Sequence, residues 1–488
     1  VPNIVKSRFD AETPTQLVPQ KPQSDIRHLQ RGQNMARCRF ALLMLLFAWL
    51  VPAAKAQQRP PNIVFLYADD LGWGDVGFNG RKDWKTPNLD RLARQGTKFN
   101  RWYTAGVVCA PSRAALLTGR YGIHNGVSGN NDDLPERETT LAQALKARGY
   151  ATMLSGKWHR GALRPGQKTF RHPMDLGFDE FFGFTSATEA HRKWPKKLWH
   201  GRVEKESSGY ADTLFADHAL EFMERQRDRP FFLYLAFTNP HFDIDAPEED
   251  VRELTGRFPE EDPTQPHRTR YAAMLQRLDK EIGRILKALD QLRLSKNTLV
   301  VFTSDHGATF ETGTKGATAF LDSNRPFRGQ KRTLWEGGIR VPAVVRWPGH
   351  IPAGRVSEQV VHMIDVMPTL LAAAGASPDP SWKVDGWNVL SAWMGKSSIP
   401  DRTLFWEWRV EGYDQTAAMR GDWKLVVTEG SPPELFNLKQ DPAERRNRFA
   451  EMSEMGRGML RELKAWLATE TEESRFGKPR RRELEPQP

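Results

Sequence analysis

The sequence predicts an α/β protein. Its expected core is a large doubly wound, mostly parallel sheet with helices on both faces, followed by a small C-terminal antiparallel sheet with one helix. Three observations carry this. Short apolar runs rich in β-formers alternate with helical stretches, the texture of strands buried on both faces. Polar motifs stand directly after those runs, where open α/β sheets place ligands. After Gly386 the runs shorten and are joined by turn signals such as Gly421-Asp422.

Residues 62–68 (NIVFLYA) form the first predicted strand and end in Asp69-Asp70-Leu71-Gly72-Trp73-Gly74. Thr86 reads as a cap for a helix over 86–93, with apolar spacing at Leu89, Leu92 and Ala93. A second helix opens at Cys109-Ala110-Pro111. Pro111 suits a first turn, Ala114 to Leu117 are helix formers, and Gly119 can stop the run. Residues 139–148 read as helix, and 150–155 and 231–237 as strands. A long amphipathic helix is expected over 271–292, then a strand over 298–303 leading into Ser304-Asp305-His306-Gly307. Beyond Gly386, 403–409, 416–420 and 423–427 read as strands, 433–442 as a turn and 452–469 as helix. No internal repeat is present.

A chain of 488 residues suits one large domain and a smaller one. Mean hydropathy of -0.60 excludes a multi-span membrane protein. Met35 is the first methionine. After it, Arg37 and Arg39 precede an apolar run over 40–51, and Ala54-Lys55-Ala56 reads as a cleavage site. Residues 35–56 therefore read as a secretory signal, too short for stable membrane insertion. Residues 1–34 are expected to be non-native upstream sequence or a disordered leader. A catalytic domain is expected over 57–386, a small α+β subdomain over 387–474, and a disordered basic tail over 475–488. The expected location is periplasmic or extracellular. Residues 1–56 hold eight basic and three acidic groups, so their removal lowers the net charge from +11 to +6. That mild excess suits an anionic substrate and does not call for nucleic acid. Of two cysteines, Cys38 falls in the signal, so the mature chain keeps Cys109 and no intramolecular disulfide.

Each motif has a plain reading beside a chemical one. Cys109 is either a small buried hydrophobe or a group at a helix N-terminus, where free N–H groups attract an anion. Arg113, one turn on, adds a planar fork of donors for an oxyanion. Asp69-Asp70 is a turn or a compact carboxylate pair for a hard cation, and Asp305-His306 follows a strand in the same way. Gly156-Lys157-Trp158-His159 is hard to explain as packing, because lysine is rarely buried unpaired. His241, in Asn239-Pro240-His241, is structural or a proton carrier. Lys331 is a solvated loop lysine or an anion contact, a role Arg332 could also fill. Glu189 and His191 lie where they could face substrate. Arg192, Lys193, Trp194, Lys196, Lys197 and Trp199 form an aromatic-basic stretch that either contacts a sugar or is a solvated loop.

Cys109-Ala110-Pro111-Ser112-Arg113 with its small-residue helix resembles the signature of the type I sulfatases, in the alkaline phosphatase superfamily. The stretch 149–159 resembles the second signature of that family. The resemblance spans about 61–447. Val107 stands where the family usually has a smaller residue, and Asp243 where it often has proline. The resemblance implies that Cys109 is oxidised to formylglycine by a maturing enzyme. It also implies one Ca²⁺ held by Asp69, Asp70, the modified Cys109, Asp305 and His306, the last being Asn in many members. Lys157 and Lys331 would bind sulfuryl oxygens, with Arg113 helping to neutralise charge. His241 would protonate the departing alcohol, and His159 would take the proton that lets sulfate leave. The implied activity is release of sulfate from a sulfated carbohydrate or an aryl sulfate. The alternatives are a phosphonate or phosphate ester hydrolase of the same superfamily and a non-catalytic binder of sulfated glycans.

Overall fold

A computed structural model of the protein describes residues 59–160, 170–410 and 413–475, together with 16, 17 and 19. The expected export signal, nearly all of the leader, the tail beyond 475 and Cys38 lie outside the described residues. The chain divides into the units Val1–Arg59 and Pro60–Pro488; the elements below belong to the second.

The main sheet has eleven strands: β1 (Asn62–Asp69), β2 (Thr97–Tyr103), β3 (Ala151–Arg160), β4 (Glu180–Ser186), β5 (Lys197–His200), β6 (Val203–Glu206), β7 (Phe231–Pro240), β8 (Thr298–Ser304), β9 (Arg340–Arg346), β10 (Arg355–Ser357) and β11 (Val361–His362). Their order is β10-β2-β9-β8-β1-β7-β3-β4-β5-β6, with β11 also on β2. The centre, β8-β1-β7-β3-β4, is parallel throughout. Antiparallel pairs flank it at β8·β9, β2·β9, β4·β5 and β5·β6. The expected doubly wound sheet is therefore present, with mixed margins.

The principal helices are α1 (Pro87–Gln95), α2 (Cys109–Thr118), α3 (Leu141–Lys146), α4 (Ala211–Arg225), α5 (His267–Gln291), α6 (Val366–Ala373) and α7 (Ser453–Leu467). Side chains alternate across a strand, so β1 feeds two cores. Ile63, Phe65 and Tyr67 pack with α2, α3 and α6. Val64, Leu66 and Ala68 pack with α1, α4 and α5. Both faces of β1 are thus buried, which is why its sequence reads as one apolar run. Among the described residues no helix is long and apolar enough to cross a membrane.

Two local differences from the sequence reading have physical reasons. The strand expected over 150–155 runs on to Arg160, with an irregularity in its pairing between Lys157 and Arg160. The helix expected over 139–148 is shorter, because Thr140 accepts a hydrogen bond from the Gln143 amide (3.2 Å) and so sets its start.

A second, antiparallel sheet follows: β12 (Thr403–Val410), β13 (Tyr413–Arg420), β14 (Trp423–Thr428) and β15 (Glu434–Asn437). The segment read as a turn over 433–442 supplies β15, which pairs Leu435 with Leu425. One face of this sheet packs on α7 through Ala418, Leu425 and Leu435. The other meets Val107, Val108, Leu334 and Trp335 through Trp406, Ala417, Met419 and Val426. A buried ion group fixes that contact. Lys424 Nζ donates to Glu336 (2.9 Å) and Glu444 (2.8 Å), and the Tyr103 hydroxyl donates to Glu336 (2.8 Å). Lys424→Ala would leave Glu444 buried without its cation and Glu336 with Arg340 alone (3.3 Å). Its expected cost is about 3–5 kcal/mol, read as a lower urea midpoint; an unchanged midpoint would contradict this role.

Candidate active site

Four adjacent parallel strands end on one edge of the sheet, and each delivers site residues there. Ala68 pairs with Ser304, so Asp69 and Asp70 at the end of β1 lie beside Asp305 and His306 after β8. Asp69 also pairs with Pro240, which brings His241 alongside from β7. Gly156 pairs with Ala236, which places Lys157 from β3 at the same level. Cys109 arrives at the first turn of α2 and Lys331 from the long connection between β8 and β9.

Asp69, Asp70, Cys109 and His306 offer ligand atoms within 4.8 Å of one another, all buried. The Cys109 sulfur lies 3.4 Å from Asp69 Oδ1, 3.4 Å from His306 Nε2 and 3.3 Å from Lys157 Nζ. His306 Nδ1 faces the Gly307 carbonyl at 3.0 Å, so Nδ1 carries hydrogen and Nε2 points into the cluster. From there Nε2 is 3.3 Å from Asp70 Oδ1 and 3.6 Å from Asp305 Oδ1. Asp305 stands one step back: its Oδ1 accepts from the Asp70 amide (3.1 Å) and its Oδ2 from Arg113 (2.9 Å).

Three fixed cations face these three carboxylates. Arg113 bonds Asp305, lies 3.4 Å from Asp69 Oδ1, and donates to the Lys157 carbonyl at 3.2 Å. Lys157 Nζ donates to Asp69 (2.6 Å), and Lys331 Nζ to both oxygens of Asp70 (2.9 and 3.1 Å). Lys331, not Arg332, reaches the cluster; Arg332 pairs with Glu311 at the surface. Burial works against ionisation of Asp69, yet the fixed charges of Lys157 and Arg113 hold it well below the usual carboxylate range. Burial raises Asp70, with Lys331 and His306 opposing. It carries Asp305 to about 6. Burial lowers His306, but Asp305, Asp70 and Cys109 outweigh it and bring that imidazole to about 9. Burial and Asp69 raise the Cys109 thiol, while Lys157, Lys331 and His306 outweigh them and bring it to about 7.

Burial pushes two further histidines toward the neutral form. Burial and then Lys331 push His241 well below the ordinary imidazole range. Its Nδ1 faces the Phe242 carbonyl at 2.6 Å, and its Nε2 lies 3.3 Å from Lys331 Nζ and 3.8 Å from Asp70. Burial, Lys157 and Arg113 bring His159 to about 3. His159 Nε2 sits 3.1 Å from the Asn130 carbonyl, and its buried Nδ1 has no partner among the described residues. His159 lines a small cavity with Ala110, Arg113 and Trp158, rather than touching the sulfur of Cys109.

The backbone is bent to serve these groups. Asp70 (φ 63°) and His159 (φ 74°) both occupy the left-handed region that costs a non-glycine residue about 1 kcal/mol or more. Gly156 has φ 116°, and a Cβ there would sit 1.9 Å from the Ala236 oxygen.

The aromatic-basic stretch is not a uniformly solvated loop. Lys193 is 3 % exposed and Leu198 is buried, whereas Trp194 is 49 % exposed with its indole N–H on Asp245 (2.9 Å). The His191 ring stacks on His241 with centroids 4.9 Å apart. Sequence reasoning missed Asp212 and the Asn130 carbonyl as neighbours of the site, and read Lys193 only as a sugar contact or a solvated loop residue. Only Asp212 carried a local signal, an acidic group at a helix start.

A strand edge that gathers ammonium groups, a helix N-terminus and neutral imidazoles around one side chain is built to take an oxyanion from an ester. Its class is that of the ester hydrolases of the α/β type. A family model described as Sulfatase matches residues 61–376, and one described as N-sulphoglucosamine sulphohydrolase, C-terminal, matches 328–472. N-acetylgalactosamine-6-sulfatase of Mus musculus is 37% identical over 81% of this chain and 76% of its own length. Human arylsulfatase A is 32% identical over 81% and 84%. The crystal structure of Ps i-CgsB superposes with a TM-score of 0.77 at 31% identity, covering 85% of this chain and 94% of that one. The chain belongs to the sulfatase family, whose members hydrolyse sulfuric esters.

Gly156→Ala is expected to displace Lys157 and lower sulfate ester turnover by about a hundred-fold or more. Steady-state kinetics on the purified variant test this, and wild-type turnover would contradict it.

Proposed function

We propose that the chain releases inorganic sulfate from sulfated carbohydrates, using an oxidised Cys109 and one divalent cation. The supporting observation is the position of Cys109: its sulfur stands at the N-terminus of α2, within 3.4 Å of Asp69, His306 and Lys157. In the matured protein a formylglycine, made by a maturing enzyme, takes the place of that thiol; water adds to its aldehyde, and one hydroxyl of the resulting diol is the nucleophile.

The donor set suits a cation. Asp69, Asp70, Cys109 and His306 bring their ligand atoms within 4.8 Å of one another, a compact set with two carboxylates suited to a hard cation. Oxygen donors favour Ca²⁺; His306 Nε2 is the one softer member. Asp69, Asp70, Asp305, His306 and the modified residue 109 would hold it, and it would polarise the nucleophile and neutralise charge.

Lys157 and Lys331 bind the sulfuryl oxygens and stabilise charge that develops during transfer. Their carboxylate partners keep both protonated despite burial. Arg113 positions Asp69, Asp305 and the Lys157 backbone. An anionic ester beside Lys331 offsets that ammonium, so His241 can hold a proton and pass it to the leaving oxygen. His159 accepts a proton at Nδ1 when sulfate is expelled, since Nε2 is turned toward the Asn130 carbonyl.

The carbohydrate reading rests on relatives: N-acetylgalactosamine-6-sulfatase, and Ps i-CgsB crystallised with k-i-k-neocarrahexaose. The secretory signal read in 35–56 supports a reaction outside the cytoplasm. We assign catalysis to 57–386 and a supporting role to 387–474.

Co-expression with a formylglycine-generating enzyme is expected to convert the Cys109 side chain from CH₂SH to CHO, seen by peptide mass spectrometry. The matured protein should turn over para-nitrophenyl sulfate well above the matching phosphonate. Cys109→Ala should lower sulfate turnover by about a thousand-fold or more. Equal activity of that variant, or preference for the phosphonate, would overturn the proposal.

A further inference from the structure

His241 sits on a turn whose polar groups are almost all held by side chains from elsewhere. Asp212, at the start of α4, accepts from the Thr238 amide (2.8 Å), the Thr238 hydroxyl (2.8 Å) and the Asn239 amide (3.0 Å). The Asn239 side chain is held by the Tyr210 hydroxyl (2.8 Å) and the Met274 carbonyl (2.9 Å). The Thr238 carbonyl accepts from the His241 amide (3.0 Å), which closes the turn, and from Lys193 Nζ (2.7 Å). The segment that carries Lys193 grips the turn twice more. The Asp243 amide donates to the His191 carbonyl (3.4 Å), and the His191 ring stacks on His241. Its other end is tied to α4, because the Ala211 amide donates to the Lys193 carbonyl (2.9 Å).

A buried lysine is a costly second donor for a carbonyl that the His241 amide already bonds. The position explains the choice. Asp212 and Lys193 hold adjacent peptide groups of Thr238 from opposite charge, so the turn cannot relax toward one without losing the other. Just beyond it, His241 Nε2 must keep its place beside Lys331 and Asp70.

We propose that Lys193 and Asp212 are positioning residues for His241, fixing the turn through Thr238 so that the imidazole stays aligned for proton transfer to the leaving oxygen. This rests on the assignment of His241 as the leaving-group acid. Misalignment of an acid harms poor leaving groups more than good ones, because a weakly acidic alcohol needs the proton and a nitrophenol does not. Loss of fold, by contrast, lowers both alike.

The test uses the full, matured chain with two substrates of similar shape, phenyl sulfate and para-nitrophenyl sulfate. Lys193→Met and Asp212→Asn are each expected to lower kcat/KM for phenyl sulfate about ten-fold more than for para-nitrophenyl sulfate. Lys193→Gln, which keeps a donor for the Thr238 carbonyl, should restore most of that ratio. His241→Asn is measured beside them. If His241→Asn shifts the ratio while the folded Lys193 and Asp212 variants do not, the positioning role is wrong and the acid assignment stands. If His241→Asn leaves the ratio unmoved, the acid assignment fails and the inference falls with it.

Discussion

The structure turns on a buried cluster of opposed charges at the ends of four parallel strands. Asp69, Asp70 and Asp305 meet Arg113, Lys157 and Lys331 with almost no access to water. Removing such groups from solvent costs several kcal/mol each, and their mutual attraction alone often fails to offset it. The cluster is therefore poor evidence of stability and good evidence of function. Each lysine spends part of its donor capacity on one carboxylate, and the proposed function uses the rest for an anion. Asp69 and Asp70 contact both those lysines and the donors Cys109 and His306, so in the proposed function the same carboxylates serve an anion site and a cation site.

The second sheet belongs to this arrangement. The Leu334 amide donates to the Gln415 side chain (2.5 Å), and the Arg332 amide to the Val107 carbonyl (3.0 Å). The segment that carries Lys331 is thus pinned between β13 and the residues before α2. Lys424 of β14 holds Glu336 a few residues further on. The small antiparallel sheet thus holds the segment of Lys331, the lysine proposed to bind a sulfuryl oxygen. The large overlap of the two family matches, at 328–376, falls on that same junction.

Much of this was legible in the chain. The apolar runs that became β1, β7 and β8 announced themselves because burial on both faces leaves no polar alternation. Motifs after those runs located Asp69, Asp70, His241, Asp305 and His306, since strand ends in a parallel sheet converge. The extension of β3 through Lys157 was not legible: it depends on Gly156 at φ 116° and on close approach to Ala236, which are tertiary facts. Nor was the burial of Lys193, whose neighbours in sequence are exposed and whose partner is a backbone carbonyl 45 residues away. The choice between Lys331 and Arg332 likewise needed the structure, because adjacent loop residues point in different directions.

The central claim is that the acidic cluster holds a divalent cation against residue 109. Calorimetric titration of chelator-treated protein with Ca²⁺ tests it most directly, with Asp70→Asn as the comparison. The account predicts one ion bound per wild-type chain, with a rise in melting temperature, and loss of both in the variant. A wild-type chain that binds no ion, or a variant that binds as well as the wild type, would contradict it.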